Sequence, residues 1–165
     1  MNAPLWLTSV RIMLIVPLMV LLLVDSIPGG QWWALAVFVL ACATDSLDGW
    51  LARSRGMVTV AGAFLDPLAD KLLISAVLVS LVETGAVAAW VAMVIIGREF
   101  AFTGLRLVAA AENVIISAGR FGKAKALSQN VALALIIWPG ISDVVRDTFL
   151  GIALVMTVLS GAHYF

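Results

Sequence analysis

Cysteine, histidine and charge are all scarce in this sequence. The 165 residues include one cysteine and one histidine, so neither an internal disulfide nor a cysteine-based zinc site can form. Charged residues make up only 12% of the chain, too few to cover the surface of a water-soluble globule of this size. Lysine plus arginine equal aspartate plus glutamate at ten each, so no net positive charge attracts nucleic acid. The few charges that are present are therefore informative by their positions.

Apolar residues dominate the composition instead. They make up 63% of the chain, with a mean hydropathy of +1.12, whereas a soluble domain is about 45–50% apolar. A helix needs about 20 mostly apolar residues to span a bilayer. Six segments meet this requirement in whole or part, namely 5–24, 31–53, 62–84, 86–108, 123–140 and 147–164. Because the connectors between them are short, the sequence predicts an all-α, polytopic membrane protein with six transmembrane helices, forming one domain over residues 1–165.

The basic residues indicate how these helices are oriented. If the N-terminus is cytoplasmic, every lysine and arginine except Arg146 falls toward the cytoplasmic side. This asymmetry predicts that both termini are cytoplasmic. The first segment carries Arg11 within its apolar run and has no basic start or small-residue cleavage site, so we expect it to be retained rather than removed as a signal peptide.

Four aspartates form the most informative pattern in the chain. Asp45 and Asp48 are three residues apart, and Asp66 and Asp70 are four apart, so on helices each pair shares one face. The short connector between the two helices makes them antiparallel neighbours, which lets all four carboxylates converge in one polar cavity facing the cytoplasm. Carboxylates within a membrane are costly and normally mark a functional pathway. Hard divalent cations such as Mg²⁺ or Mn²⁺ remove this cost, since oxygen ligands are the ones they prefer.

Residues 45–70 resemble the signature of the CDP-alcohol phosphotransferase family. Every fixed position of that signature is present at the expected spacing: Asp45, Asp48, Gly49, Ala52, Arg53, Gly62, Asp66 and Asp70. The resemblance extends over most of the chain, since the family core also has six transmembrane helices. It implies a transferase of phospholipid biosynthesis that acts on CDP-diacylglycerol, works as a homodimer and resides in a bacterial-type inner membrane.

The same resemblance implies a role for each carboxylate. Asp45, Asp48 and Asp66 would be the main ligands of two divalent ions, Mg²⁺ or Mn²⁺. Asp70 would also reach the second ion and would act as the general base for the hydroxyl of the acceptor. Two metal ions held close together suit displacement at phosphorus.

The small and basic residues of the signature are assigned to CDP-diacylglycerol. Gly49 and Ala52 would line the cytidine pocket, and Arg53 would pair with the diphosphate, whose geometry a guanidinium matches. Gly62 permits close approach of the next helix and, with Thr8 of the first helix, completes the expected CDP-diacylglycerol site.

A second polar region indicates which kind of acceptor alcohol the protein binds. Four cations, Arg98, Arg106, Lys123 and Lys125, are candidates for binding a phosphate on the acceptor alcohol. The segments around them are similar to those of phosphatidylglycerophosphate synthases, a subgroup of the family, which implies glycerol-3-phosphate as the acceptor.

Two positions depart from the subgroup pattern. Leu5 stands where the subgroup often has asparagine, and Ala126 stands where it often has threonine. Leu5 removes a polar contact near the nucleotide, and Ala126 removes a hydroxyl near the proposed phosphate site. Both bear on the choice of acceptor, and neither touches the metal signature.

Other functions fit parts of the pattern. Another enzyme of the family could use inositol phosphate, serine or a different alcohol as its acceptor. From a different class, a small cation or proton carrier would use the four carboxylates as an ion path. A carrier commonly places its acids near the bilayer midplane with repeat symmetry, and this sequence has no repeat. A catalytically silent assembly partner would not need all four carboxylates.

Overall fold

The computed structural model describes residues 3–55, 60–111 and 120–162, and side chains within 9–44, 67–105, 108–109 and 126–159. The described backbone contains no strand and is all helical apart from its turns. The helices are α1 (Ala3–Leu23), α2 (Gly30–Arg55), α3 (Val60–Glu83), α4 (Ala89–Ala111), α5 (Arg120–Ile137) and α6 (Asp143–Ala162). These ranges confirm the prediction of six helices.

Three helix starts differ by three residues or more from the expected positions, and α5 starts at Arg120 rather than at 123. The fourth helix starts three residues later than predicted, because the chain first makes a turn at Gly85, whose φ of 74° is left-handed. The sixth starts at Asp143 rather than 147. Its first turn is polar, and Asp143 Oδ1 lies 2.9 Å from the Nη1 atom of Arg146, an i,i+3 ion pair that an apolar window does not detect.

Among the described residues, no helix provides a stretch both long enough and apolar enough to cross a membrane.

The chain divides into two compact units, Met1–Ala86 and Val87–Phe165. In the first unit, α1 packs against both α2 and α3. In the second unit, α6 packs against α5 and, less extensively, against α4. The expectation of a single domain over the whole chain stays a prediction.

The core of the first unit lies toward the turn at residues 24–29. Its fully or nearly fully buried side chains repeat at intervals of three, four and seven residues, as expected for helices that bury one face. They include Leu18, Leu22, Ala34, Phe38, Ala41, Leu73, Val77 and Leu81. This packing brings one face of α1 against the two helices that carry the aspartates.

The core of the second unit is built in the same way. Buried residues of α4, α5 and α6 supply it, among them Val91, Ile95, Leu133, Ile136 and Ala153. The buried hydroxyl of Thr157 donates a hydrogen bond of 2.6 Å to the Ala153 carbonyl of its own helix. That bond satisfies a polar group that would otherwise be costly to bury.

Candidate active site

All four predicted metal ligands lie on helices. Asp45 and Asp48 belong to α2, and Asp66 and Asp70 belong to α3. The helical backbone confirms the assumption that the members of each pair share a helix face. The side chain of Asp70 is described and half-buried, whereas those of the other three lie outside the described side chains.

On α2 the aspartates continue the buried apolar face. Asp45 follows the buried Phe38 by seven residues, and Asp48 follows the buried Ala41 by the same interval. Seven residues make almost two full turns, so each aspartate has the same register position as the apolar residue before it. The face of α2 that packs in the core therefore changes from apolar to acidic toward residue 48.

On α3 the same change occurs in the opposite chain direction. Asp70 precedes the buried Val77 by seven residues, and Asp66 precedes the buried Leu73 by seven. On both helices the aspartates thus have register positions on the faces that build the apolar core of the first unit, further along than its buried residues. Two connections of six residues or fewer make α2 antiparallel to α1 and α3, which puts these acidic segments at the same end of the unit.

Lys71 is held close to the acidic turn of α3. Its Nζ atom donates a hydrogen bond of 3.3 Å to the backbone carbonyl of Pro67, one turn earlier. The side chain is half-buried. The ammonium therefore lies against its own helix.

The donor set suits hard divalent cations. Four carboxylates provide only oxygen ligands, which Mg²⁺ and Mn²⁺ prefer to nitrogen or sulfur. Within the described side chains, no three histidine, cysteine, aspartate or glutamate residues lie close enough to hold a metal ion. That search covers Asp70 alone of the four predicted ligands, so the metal site stays a prediction.

The expected CDP-diacylglycerol residues lie on three helices of the first unit. Gly49, Ala52 and Arg53 belong to α2, Gly62 to α3 and Thr8 to α1. All five lie outside the described side chains. The packing of α1 against α2 and α3 joins the elements that carry them.

Arg98 is the described member of the predicted acceptor site. Its guanidinium carbon lies 4.2 Å from the centroid of the Phe102 ring, one turn further along α4. Its Nη1 atom lies 3.5 Å from Oε1 of Glu99, and the side chains of this pair are only 16% and 18% exposed. An aromatic face and a carboxylate thus position a mostly buried cation. The sequence analysis identified Arg98 but not Phe102. The i,i+4 spacing of Phe102 from Arg98 could have indicated a cation–π contact on a helix.

The surroundings of Arg98 include open space. A Cβ atom built on Gly97 or on Gly104 of α4 meets no atom within 4 Å. The Thr103 hydroxyl donates a hydrogen bond of 2.8 Å to the Glu99 carbonyl and so stays on its own helix. Both glycines are exposed, so no described residue covers α4 at Gly97, next to Arg98 in the chain, or at Gly104.

The remaining acceptor candidates are placed only by their helices. Arg106 belongs to α4, and Lys123 and Lys125 belong to α5, but all three lie outside the described side chains. Ala126, one of the two departures from the subgroup pattern, is exposed, and Leu5 lies outside the described side chains.

The structure buries one charged residue of α1, Arg11, which the sequence analysis did not predict to be buried. Arg11 is only 4% exposed, and it is the one charged residue among the buried side chains that the structure describes. It shares a helix face with Leu18 and Leu22, which are seven and eleven residues further along and also buried. The heptad spacing from Leu18 was the signal in the sequence that Arg11 faces the core.

Comparisons with known proteins agree with the signature of residues 45–70. Residues 1–159 match the family model described as CDP-alcohol phosphatidyltransferase. A Bacillus subtilis protein named CDP-diacylglycerol–glycerol-3-phosphate 3-phosphatidyltransferase is 39% identical over 180 aligned residues, covering 99% of this chain and 93% of its own. A Rickettsia typhi protein of the same name is 36% identical, with coverages of 99% and 95%. A Mycobacterium tuberculosis protein named probable phosphatidylglycerophosphate synthase is 41% identical over 133 residues, with coverages of 79% and 63%.

Proposed function

The chain belongs to the CDP-alcohol phosphatidyltransferase family, and we propose that it transfers the phosphatidyl group of CDP-diacylglycerol to glycerol-3-phosphate. The products are phosphatidylglycerophosphate and CMP. We choose glycerol-3-phosphate as the acceptor because the chain is 39% identical, over nearly the whole of both chains, to a relative named for that reaction. The transfer of a phosphatidyl group rests separately on the family and on the complete signature of residues 45–70.

The reaction exchanges one phosphorus–oxygen bond for another. The hydroxyl oxygen of the acceptor attacks the phosphorus that carries the diacylglycerol, and the bond from that phosphorus to the bridging oxygen of the diphosphate breaks. CMP leaves with the bridging oxygen and its electron pair. The carboxylate of Asp70 takes the proton of the attacking hydroxyl, a role suited to a half-buried carboxylate at the end of an apolar core.

Asp45, Asp48, Asp66 and Asp70 would hold two divalent ions, Mg²⁺ or Mn²⁺. When bound, these ions offset the negative charge that develops on the diphosphate as CMP leaves. The register positions of the four aspartates support this assignment, because they continue the packed faces of two helices that both pack against α1. Arg53 pairs with the diphosphate, and Gly49, Ala52, Gly62 and Thr8 accommodate the nucleotide and its linkage.

The acceptor phosphate binds Arg98, with Arg106, Lys123 and Lys125 as further ligands. Arg98 is suited to this role because its side chain is only 16% exposed and its guanidinium is oriented by Phe102 and Glu99. A pre-oriented, poorly hydrated guanidinium binds a phosphate more strongly than a freely moving surface cation does. Glycerol-3-phosphate carries the dianionic group that such a site requires, whereas serine and free inositol do not.

The proposed cellular setting is the bacterial inner membrane. CDP-diacylglycerol carries two acyl chains, and the composition of this chain, 63% hydrophobic, suits a protein in contact with lipid. Six transmembrane helices with both termini in the cytoplasm are the topology that the basic residues favour. The homodimer is proposed from the family resemblance.

Relatives named as transferases cover 99% of the chain, which leaves a cation or proton carrier without support. The open alternative is a different acceptor alcohol. It is tested with purified protein and radiolabelled CDP-diacylglycerol, offered glycerol-3-phosphate, inositol phosphate, serine or glycerol separately, with Mg²⁺ or with EDTA. We expect a labelled lipid product with glycerol-3-phosphate and Mg²⁺ only. A product with another alcohol would overturn the acceptor, and no CMP release from folded protein with any acceptor would overturn the reaction.

A further inference from the structure

Glu99 places a carboxylate directly beside the cation assigned to the acceptor phosphate. Its Oε1 atom lies 3.5 Å from Nη1 of Arg98, and the side chains of Arg98 and Glu99 are only 16% and 18% exposed. The role proposed for Arg98 brings a phosphate with two negative charges to this guanidinium. A dianion and a carboxylate beside one cation repel each other, and water screens that repulsion poorly where the side chains are mostly buried. The carboxylate of Glu99 therefore opposes the binding of the acceptor.

The geometry of the contact between Arg98 and Glu99 allows it to be exchanged. A tight charge-assisted hydrogen bond from a guanidinium nitrogen to a carboxylate oxygen measures about 2.7–2.9 Å, so a separation of 3.5 Å indicates a weaker ion pair. The two residues are also adjacent on α4. Consecutive side chains of a helix point about 100° apart and do not face each other. A phosphate that reaches Arg98 thus competes with a weak contact rather than with a bidentate pair.

Phe102 holds the same guanidinium in a different way. Its ring centroid lies 4.2 Å from the guanidinium carbon of Arg98, so the ring lies against the face of the cation. The N–H donors of a guanidinium lie in its plane, and a ring on the face leaves them available to an anion. Phe102 is spaced i,i+4 from Arg98 and shares its side of the helix, which Glu99 does not. Arg98 therefore stays oriented by the ring when another anion takes the place of the carboxylate.

We propose that Glu99 is an internal competitor for Arg98, which the phosphate of the acceptor displaces and a singly charged anion does not. A carboxylate on the neighbouring residue has a high effective concentration at the guanidinium, and an anion of the same charge has no electrostatic advantage over it. A dianion is attracted more strongly and replaces it. Phosphodiester head groups of lipids carry one negative charge, so the competitor keeps them from occupying Arg98. Glu99 is thus a specificity-determining residue, and this inference rests on the proposed function for the assignment of Arg98 to the acceptor.

Thermal unfolding of the full-length protein in detergent tests the competition. The first probe is methyl phosphate, which carries two negative charges at about pH 8 because its second pKa is about 6. Glu99→Gln removes the competing charge, so the apparent affinity for methyl phosphate should rise roughly 3- to 10-fold. At the same high concentration of the probe, the rise in the thermal midpoint Tm should exceed the wild-type rise by roughly 2–5 °C. An equal or smaller rise would overturn the proposal.

The second probe is dimethyl phosphate, which has the same phosphorus centre but only one negative charge. At the concentration at which methyl phosphate stabilises the wild type, dimethyl phosphate should leave the wild-type Tm unchanged. It should raise the Tm of Glu99→Gln, because the guanidinium is no longer occupied by a carboxylate. Equal responses of the two proteins to dimethyl phosphate contradict the exclusion of singly charged anions by Glu99.

Three further variants keep the test decisive. Glu83→Gln changes an exposed carboxylate at the end of α3 and should respond to both probes as the wild type does. In an Arg98→Met background, Glu99→Gln should give no gain in affinity, and a gain that persists there shows that Glu99 does not act through Arg98. If Glu99→Gln does not fold, Glu99→Asp replaces it. The shorter side chain keeps its charge but reaches Arg98 less well, so a smaller gain of the same sign supports the proposal and no gain contradicts it.

Steady-state kinetics connect the competition to the reaction. The KM for glycerol-3-phosphate should fall roughly 3- to 10-fold in Glu99→Gln, whereas the KM for CDP-diacylglycerol should keep its wild-type value. A rise in the KM for glycerol-3-phosphate would mean that Glu99 only orients Arg98 and would contradict the competition. A wild-type protein that binds methyl phosphate but transfers nothing to glycerol-3-phosphate would count against the proposed function, while the comparison of Tm values still decides the competition.

Discussion

The Arg98 guanidinium carbon lies 4.2 Å from the centroid of the Phe102 ring, within one turn of α4. The ring covers one face of the guanidinium, and its quadrupole attracts the positive charge. Glu99 Oε1 also lies 3.5 Å from Nη1 of the guanidinium. A ring and a carboxylate therefore restrict the rotamer of the cation that we assign to the acceptor phosphate.

Replacing Phe102 by leucine should weaken acceptor binding while leaving the lipid substrate unaffected. Losing the cation–π contact releases Arg98 from its orientation, and we expect the KM for glycerol-3-phosphate to rise roughly 2- to 10-fold. Phe102→Tyr keeps an aromatic face and is the matched control, with a KM near the wild-type value. Steady-state kinetics with each substrate varied in turn make the measurement. Equal rises in both KM values for Phe102→Leu would mean that the ring supports the helix rather than Arg98.

The open space at Gly97 leads to a second prediction. Glycine within a helix costs stability relative to alanine, so Gly97→Ala and Gly151→Ala should each stabilise the protein by about 0.5–1 kcal/mol, since neither new methyl group meets an atom within 4 Å. Gly97 adjoins Arg98, so its methyl group should also occupy space that the acceptor uses and raise the KM for glycerol-3-phosphate.

Gly151 lies on α6, outside every predicted site, and provides the control for that effect. Gly151→Ala should raise the unfolding temperature without changing the KM for either substrate. If the Gly97→Ala and Gly151→Ala enzymes have the same kinetics, the space beside Arg98 is not an acceptor site.

The helices were predictable because their apolar runs are long and their turns carry glycine and proline. The positions of the four aspartates on helix faces followed from spacing alone, since Asp45 and Asp48, and likewise Asp66 and Asp70, repeat at the helical period. The start of α6 was not predictable in this way, because the polar turn from Asp143 to Arg146 is stabilised by an ion pair rather than by apolar burial.

Contacts that depend on side-chain rotamers or on tertiary packing also could not be predicted from the sequence. Arg98 can adopt several rotamers on α4, and only the structure shows the one that meets Phe102. The burial of Arg11 requires knowing which face of α1 packs against α2 and α3. A pattern of apolar residues indicates that face, but a single arginine within it reads equally well as a basic residue that orients the helix.

Removing divalent ions should abolish activity reversibly. EDTA-treated enzyme should release no CMP, and Mg²⁺ or Mn²⁺ should restore the rate, because the carboxylates alone cannot offset the charge that forms on the diphosphate. Asp45→Asn and Asp66→Asn should each lower kcat on the order of 100-fold or more and raise the Mg²⁺ concentration needed for half-maximal rate.

Asp147→Asn is the control for these metal-site variants, because the Asp147 side chain is 67% exposed on α6. It should leave both kcat and the Mg²⁺ requirement unchanged. Wild-type rates in EDTA, or an unchanged Mg²⁺ requirement in Asp45→Asn and Asp66→Asn, would contradict the assigned ligands.

Asp70→Asn should separate chemistry from binding of the lipid substrate. Asparagine cannot take the proton of the attacking hydroxyl, and general bases contribute about 10²- to 10⁴-fold, so we expect kcat to fall at least 100-fold. Asp45, Asp48, Asp66 and Arg53 remain, so binding of CDP-diacylglycerol should persist, measured as protection of the protein against thermal unfolding by the lipid nucleotide. Asp25→Asn, at an exposed carboxylate in the turn after α1, should keep the wild-type rate. Full activity in Asp70→Asn would overturn its role as base, and loss of lipid binding together with activity would make Asp70 chiefly a ligand of the metal site.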